Sequence, residues 1–201
     1  LTGFDVDIPL VVLSVVTGVA GSGKRSLATR ELPSQRPEFT GVGQDPLRGG
    51  VRSTSLSVLD VADRVREVFA SASGLAPSWF SFNSKGACPA CRGKGYITTE
   101  LAFLDDVSTP CDVCGGLRFN KTALATTVGG NTIADVLSMA ADDVAQLFAS
   151  EPTVTRAMSW LVRVGLGYTA VGQSLDTLSG GEKQRLLLAK HLNGVDDLAG
   201  E

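Results

Sequence analysis

All four cysteines of this 201-residue chain fall into two C-x-x-C pairs, Cys88-Pro89-Ala90-Cys91 and Cys111-Asp112-Val113-Cys114, with nineteen residues between them. This is the spacing of a four-thiolate zinc site, in which each short pair forms a tight knuckle and two knuckles complete a tetrahedron. Cys88, Cys91, Cys111 and Cys114 are therefore the candidate ligands of a Zn²⁺ ion. Four protein ligands leave no open position, so the site is expected to be structural rather than catalytic. The rival, a thiol-redox pair, lacks the βαβ surroundings that such a pair uses. Residues 84 to 120 are loop-like and glycine-rich, and a stretch of that kind needs more than a hydrophobic core to hold it. It reads as a small module inserted in a larger domain.

Composition bounds the rest. Apolar residues make up 43% of the chain, charged residues 19%, and the mean hydropathy is +0.16, as in a globular protein. The longest apolar run, around Leu10 to Val16, is far shorter than the roughly 20 residues of a membrane-spanning helix. Net charge is -3 with a pI near 5.2, so contact with nucleic acid would depend on a local patch. The cysteine stretch is close to neutral: Lys85, Arg92, Lys94, Arg118 and Lys121 face Glu100, Asp105, Asp106 and Asp112, five against four. The chain begins Leu1-Thr2-Gly3-Phe4, without an initiator Met or a signal peptide. It reads as an interior piece of a cytoplasmic protein.

A second motif lies near the start. Gly18-Val19-Ala20-Gly21-Ser22-Gly23-Lys24 follows a β-branched run, Leu10 to Thr17, expected as a buried strand, and precedes a segment expected as a helix from Lys24 to about Leu32, stopped by Pro33. Strand, glycine loop and helix are the setting of a Walker A phosphate loop. Gly18, Gly21, Ser22 and Gly23 would let successive amides converge on phosphate oxygens, and Lys24 would add a point charge, making ATP or GTP the implied ligand. The plain alternative is a glycine turn with a solvated lysine. Arg25 occupies the place where a Ser or Thr would hold Mg²⁺, and a guanidinium has no lone pair for a metal. Ser26 comes one residue late, about 100° around a helix. Nucleotide binding with weakened Mg²⁺ placement is the expectation.

Further helices are expected from an Asp60 cap to Ser71 before Gly74, after a Thr132 cap, after an Asp142 cap with Pro152 closing that pair, and over residues 153 to 166 up to Gly165. A last helix opens at Leu178-Ser179-Gly180-Gly181-Glu182 and continues through Lys183-Gln184-Arg185. Ser179 and the amides of Gly180 and Gly181 give it an anion-binding start.

A Walker A loop and an LSGGE string in one chain resemble the ABC-type ATPases. The inserted cysteine module narrows the likeness, together with Phe80-Ser81-Phe82-Asn83, Cys91-Arg92-Gly93-Lys94-Gly95, Phe103-Leu104, Arg118-Phe119-Asn120, Ile133 to Leu137 and Val164-Gly165-Leu166-Gly167-Tyr168. With these, the chain resembles the UvrA family, the A subunits of bacterial UvrABC excinucleases, and most of all their second nucleotide-binding half. The resemblance implies an α/β P-loop fold, incomplete here, with an inserted zinc hairpin and a helical signature region. It implies ATP, with Mg²⁺ in question because of Arg25, and Zn²⁺. It implies DNA damage recognition in nucleotide excision repair by a dimer on damaged duplex DNA, a second nucleotide-binding half or UvrA subunit, a UvrB-like partner, and no membrane. Ser179, Gly180, Gly181 and Glu182 would close on nucleotide held by another Walker loop. Gln44 matches the Q-loop glutamine.

The resemblance divides the chain into residues 1–57, the Walker A and Q-loop part; 58–83, a connector; 84–120, the zinc module; and 121–201, the signature region. In the family the chain continues past the equivalent of Glu201 to the Walker B aspartate, catalytic glutamate and switch histidine. No complete catalytic set is therefore expected here, and the piece alone is not expected to hydrolyse ATP. His191 lies within the last helix and is not that histidine. Two other readings stay open: a UvrA-like paralogue of the antibiotic self-resistance kind, and a nucleotide- and zinc-binding module without turnover.

Overall fold

In a computed structural model the described residues are 5–9, 12, 14–37, 39, 47, 49–99 and 106–195. The chain divides into two compact units, Leu1–Asp45 and Pro46–Glu201.

The first unit holds the phosphate-loop motif. Its helical stretch runs through α1 (Lys24–Ser26), a π turn (Leu27–Glu31) and α2 (Leu32–Gln35). The helix therefore passes Pro33 rather than stopping there. Pro33 brings no amide, and the wide turn before it lets the Leu32 amide reach back to the Leu27 carbonyl. The strand expected at Leu10 to Thr17 is the larger difference. Leu10, Val11 and Leu13 lie outside the described residues, and Val12 and Ser14 to Thr17 form no strand, with Val12, Val15 and Val16 at 60%, 74% and 54% exposure. Strand backbone needs a neighbour for its amides and carbonyls, and among the described residues nothing pairs with this run.

The second unit begins with α3 (Ser55–Val58) and α4 (Ala62–Ser73). Asp60 does not cap α4; it closes α3. With φ of 59° it occupies the left-handed position after the helix, and the Val61 amide returns to the Leu56 carbonyl at 3.1 Å. Its carboxylate lies 3.3 Å from Lys190 Nζ. Val61, Val65 and Phe69 follow the helical period and are buried, and Gly74 ends the helix as expected.

The cysteine stretch carries one antiparallel pair, β1 (Tyr96–Thr99) and β2 (Val107–Pro110), in which Ile97 faces Thr109. Next come α5 (Lys121–Leu124) and a small hairpin of β3 (Thr127–Val128) and β4 (Asn131–Thr132). The hairpin delivers Thr132 to the start of α6 (Ile133–Ser138), where its hydroxyl accepts from the Asp135 amide while Asp135 accepts from the Thr132 amide, a reciprocal capping box. α7 (Ala141–Leu147) starts from Ala140, so Asp142 lies in its first turn rather than at its cap. Pro152 opens α8 (Pro152–Arg163) instead of closing the preceding pair, because its fixed φ and missing amide suit a first helical position. Gly165 and Leu166 end α8 with amides returned to Val162 and Leu161. α9 (Gly180–Val195) completes the unit.

The core gathers Phe69 of α4, Phe80, Phe119, Phe148, Met158 and Leu161 of α8, and Leu186 of α9. Arg64 of α4 reaches Glu151, at the foot of α8, at 2.6 Å. Among the described residues no helix is long and apolar enough to cross a membrane. Replacing Thr132 with Ala should cost about 1 kcal/mol, the worth of a side-chain cap. Phe69→Ala should cost about 3 to 5 kcal/mol. Urea unfolding midpoints of the two variants test that order.

Candidate metal centre and nucleotide motifs

The four sulfurs lie within 4.8 Å of one another, and all four cysteines are buried and unbridged. Cys88 and Cys111 Sγ are 4.0 Å apart, Cys91 and Cys114 Sγ 3.7 Å. Zn–S bonds of about 2.3 Å in a tetrahedron place sulfurs about 3.8 Å apart. The donor set, its size and its burial thus fit a Zn²⁺ ion.

The sequence builds each knuckle locally. The Lys94 amide donates to the Cys91 carbonyl at 3.1 Å and the Leu117 amide to the Cys114 carbonyl at 3.0 Å. The Gly95 amide donates to Cys91 Sγ at 3.3 Å. Gly93 has no substitute: its φ is 78°, and a Cβ there would lie 1.8 Å from the Phe82 carbonyl oxygen. The knuckles are joined by Cys88 N–H to Arg118 O and Cys111 N–H to Gly95 O, each 2.9 Å. For the Cys91 thiol, burial opposes ionisation. The Gly95 amide and the neighbouring Cys114 and Cys88 thiols outweigh it and bring the group down to about 7. Burial pushes Cys114 up to about 12. Binding a cation would replace the protons of these thiols, easily at Cys91 and against the upward shift at Cys114.

In the first unit, the loop from Gly18 to Gly23 closes on its own lysine. Lys24 Nζ donates to the Gly18 and Val19 carbonyls, each at 2.7 Å, and to Ser22 Oγ at 3.2 Å. Gly21, Ser22, Gly23, Arg25 and Ser26 line an open cleft beside it. Gln44 lies outside the described residues.

In the second unit, Ser179 and Glu182 form a capping box at the head of α9. The Ser179 amide and hydroxyl each lie 2.8 Å from Glu182 Oε2, and the Glu182 amide donates to Ser179 Oγ at 3.3 Å. Tyr168 Oη donates to the other carboxylate oxygen at 2.6 Å. Tyr168 first, then the Ser179 amide and hydroxyl, holds the exposed Glu182 carboxyl down to about 2. Tyr168 ends the Val164 to Tyr168 string, and no local pattern marks its hydroxyl for a carboxylate 14 residues further on. Gly180 and Gly181 have no steric reason within the described chain, since a Cβ on either would meet no atom within 4 Å.

Gly93→Ala should abolish zinc uptake, whereas Gly115→Ala, where a Cβ meets nothing within 4 Å and only the left-handed φ of 58° costs about 1 to 2 kcal/mol, should retain most of it; metal content per chain separates the two. Because ligation needs thiolates, zinc affinity should fall with pH, most clearly below about 7, where Cys91 too holds its proton. A chelator competition at several pH values measures it.

No protein-family model matches the chain. Its sequence is 40% identical over 222 aligned residues to "UvrABC system protein A" of Staphylococcus aureus strain Mu50, covering 96% of this chain and 23% of that protein. The namesake of Staphylococcus epidermidis matches equally, with 40% identity over 96% of this chain and 24% of the relative. Among solved structures, UvrA2 from Deinococcus radiodurans superposes with a TM-score of 0.72 at 37% identity, covering 88% of this chain and 24% of that one. The fold class expected from the sequence, a UvrA-type ABC ATPase with a cysteine module, is the one these matches support. The chain spans about a quarter of the length of the relatives it matches, and the alignment covers 96% of its own length.

Proposed function

We propose that the chain is a nucleotide- and zinc-binding part of a UvrA-type DNA damage recognition ATPase acting in nucleotide excision repair. One observation carries the reading: phosphate loop, buried four-thiol cluster and capped LSGGE helix occur in this order in a chain matched over 96% of its length by UvrABC system protein A. In this reading Gly18, Gly21, Ser22, Gly23 and Lys24 hold ATP phosphates, with Gln44 near the γ-phosphate. Cys88, Cys91, Cys111 and Cys114 hold zinc within residues 84–120. Ser179 to Glu182 face nucleotide bound to a second nucleotide-binding half. Duplex DNA and a UvrB-like subunit are the proposed partners, and the four reduced thiols suit an intracellular setting.

The open flank of Gly180 and Gly181 supports the signature role. Glycine is disfavoured in a helix by up to about 1 kcal/mol, and nothing in the described chain requires it there. A ligand or second chain that approaches the backbone closely would. The phosphate loop fits phosphates better than it fits Mg²⁺, because Arg25 stands at the hydroxyl position.

The test is binding of damaged and intact duplexes of one sequence at one salt concentration, with and without ATP. A preference for damaged duplex that changes with ATP supports the reading; equal binding of both, unaffected by ATP, contradicts it. Arg25→Ser should tighten ATP binding only when Mg²⁺ is present, as read by titration of a fluorescent ATP analogue. Gly181→Ala should leave the chain as stable or up to about 1 kcal/mol more stable while weakening ATP-dependent pairing of two nucleotide-binding halves. Sedimentation velocity with ATP reads the pairing.

A further inference from the structure

Two arginines tie the first cysteine knuckle to the segment that follows Gly50. Arg118 Nε donates to the Gly93 carbonyl at 3.0 Å, Nη2 to the Val51 carbonyl at 2.9 Å, and Nη1 reaches the Gly172 carbonyl at 3.5 Å. Its guanidinium carbon lies 3.6 Å from the centre of the Phe82 ring. From the other side, Arg52 Nη2 donates to the Arg92 carbonyl at 2.9 Å. Val51 and Arg52 are thus held to the knuckle in both directions.

The clasped segment is itself bound to the stretch that leads into the signature helix. Thr54 pairs with Ser174 as an antiparallel bridge, the Ser174 hydroxyl donates to the Val51 carbonyl, and the Leu175 amide donates to the Ser53 carbonyl at 2.9 Å. A 3₁₀ turn, Leu175–Thr177, then runs into Leu178 and Ser179.

Arg118 belongs by its backbone to the cysteine module. Its carbonyl accepts from the Cys88 amide, its φ is 73°, and the Leu117 amide before it is bound to the Cys114 carbonyl. The placement of the guanidinium therefore follows from the fold of both knuckles. One of its acceptors, Gly93, belongs to the first knuckle, and the other two belong to the segments it clamps. A planar fork with several fixed donors can serve three carbonyls at once, which the single ammonium of lysine cannot do in the same geometry.

We propose that Arg118 is a positioning residue that couples metal occupancy of the four-thiol cluster to the ordering of the Val51–Thr54 and Gly172–Leu175 segments, and through the second of these to the start of the signature helix. The inference rests on the metal reading above and deepens it.

Hydrogen exchange with peptide-level mass spectrometry on the full chain tests it, zinc-loaded against chelator-stripped, with α8 as the internal reference. In the native sequence, stripping zinc should speed exchange of peptides covering 49–56 and 170–178 by about tenfold or more while α8 stays protected. In Arg118→Lys and Arg118→Gln, zinc should remain at one ion per chain, yet both segments should exchange at the fast rate whether or not zinc is bound. Segments in the variants as protected as in the native chain would overturn the proposal. So would variants that lose zinc or α8 protection, since Arg118 would then hold up the module or the core rather than link them. Zinc uptake by the native chain without any response of the two segments overturns this inference alone. Failure of the native chain to take up zinc removes the metal reading and the inference with it.

Discussion

Four ionisable sulfurs buried within 4.8 Å of one another are the constraint on which the cysteine module and the segments clasped to it depend. Thiolates gathered away from water repel one another, and neutral thiols there gain little from so close an approach. A divalent cation resolves both problems at once. The local architecture follows from that need. Gly93 passes under the Phe82 carbonyl where no Cβ fits, the Gly95 amide points at Cys91 Sγ, and Arg118 takes a left-handed backbone so that its carbonyl meets the Cys88 amide. Phe82 and Phe119 then anchor the module to the core, their rings edge-on at 5.7 Å.

The two glycine motifs are built differently. At the Gly18 to Gly23 loop, Lys24 satisfies its charge on two carbonyls of its own loop, contacts that an incoming ligand would have to outbid. At the signature, the order is stored in one carboxylate: Glu182 serves the Ser179 amide and hydroxyl with one oxygen and Tyr168 with the other. A negative charge at the first turn of a helix is favoured by the exposed amides there. The head of α9 is therefore tied together by its side chains, while a Cβ at Gly180 or Gly181 would meet no atom within 4 Å.

Much of this was legible in the sequence where a rule acts over a few residues. The cysteine spacing, the Thr132 cap, the stop at Gly74 and the helical period of Val61, Val65 and Phe69 are local, and the structure has them. Local rules do not decide where one residue type suits two local roles. Asp60 can cap a helix or end one, and the Leu56 carbonyl with Lys190 of α9 decides for the end of α3. Pro152 can end a helix or begin one, and it begins α8. The run before Gly18 has strand chemistry, yet strands exist only in pairs, and sequence alone does not say where the partner is. The Arg118 clasp joins residues 67 and 54 positions apart in the chain, so no window of sequence contains it.

X-ray absorption at the zinc edge, on the chain purified under reducing conditions with its metal, tests the central claim most directly. Four sulfur scatterers at about 2.3 Å, with no nitrogen or oxygen neighbour, are the predicted result. A mixed sulfur and nitrogen or oxygen shell, or a chain that carries no zinc with its cysteines paired as disulfides, would contradict it.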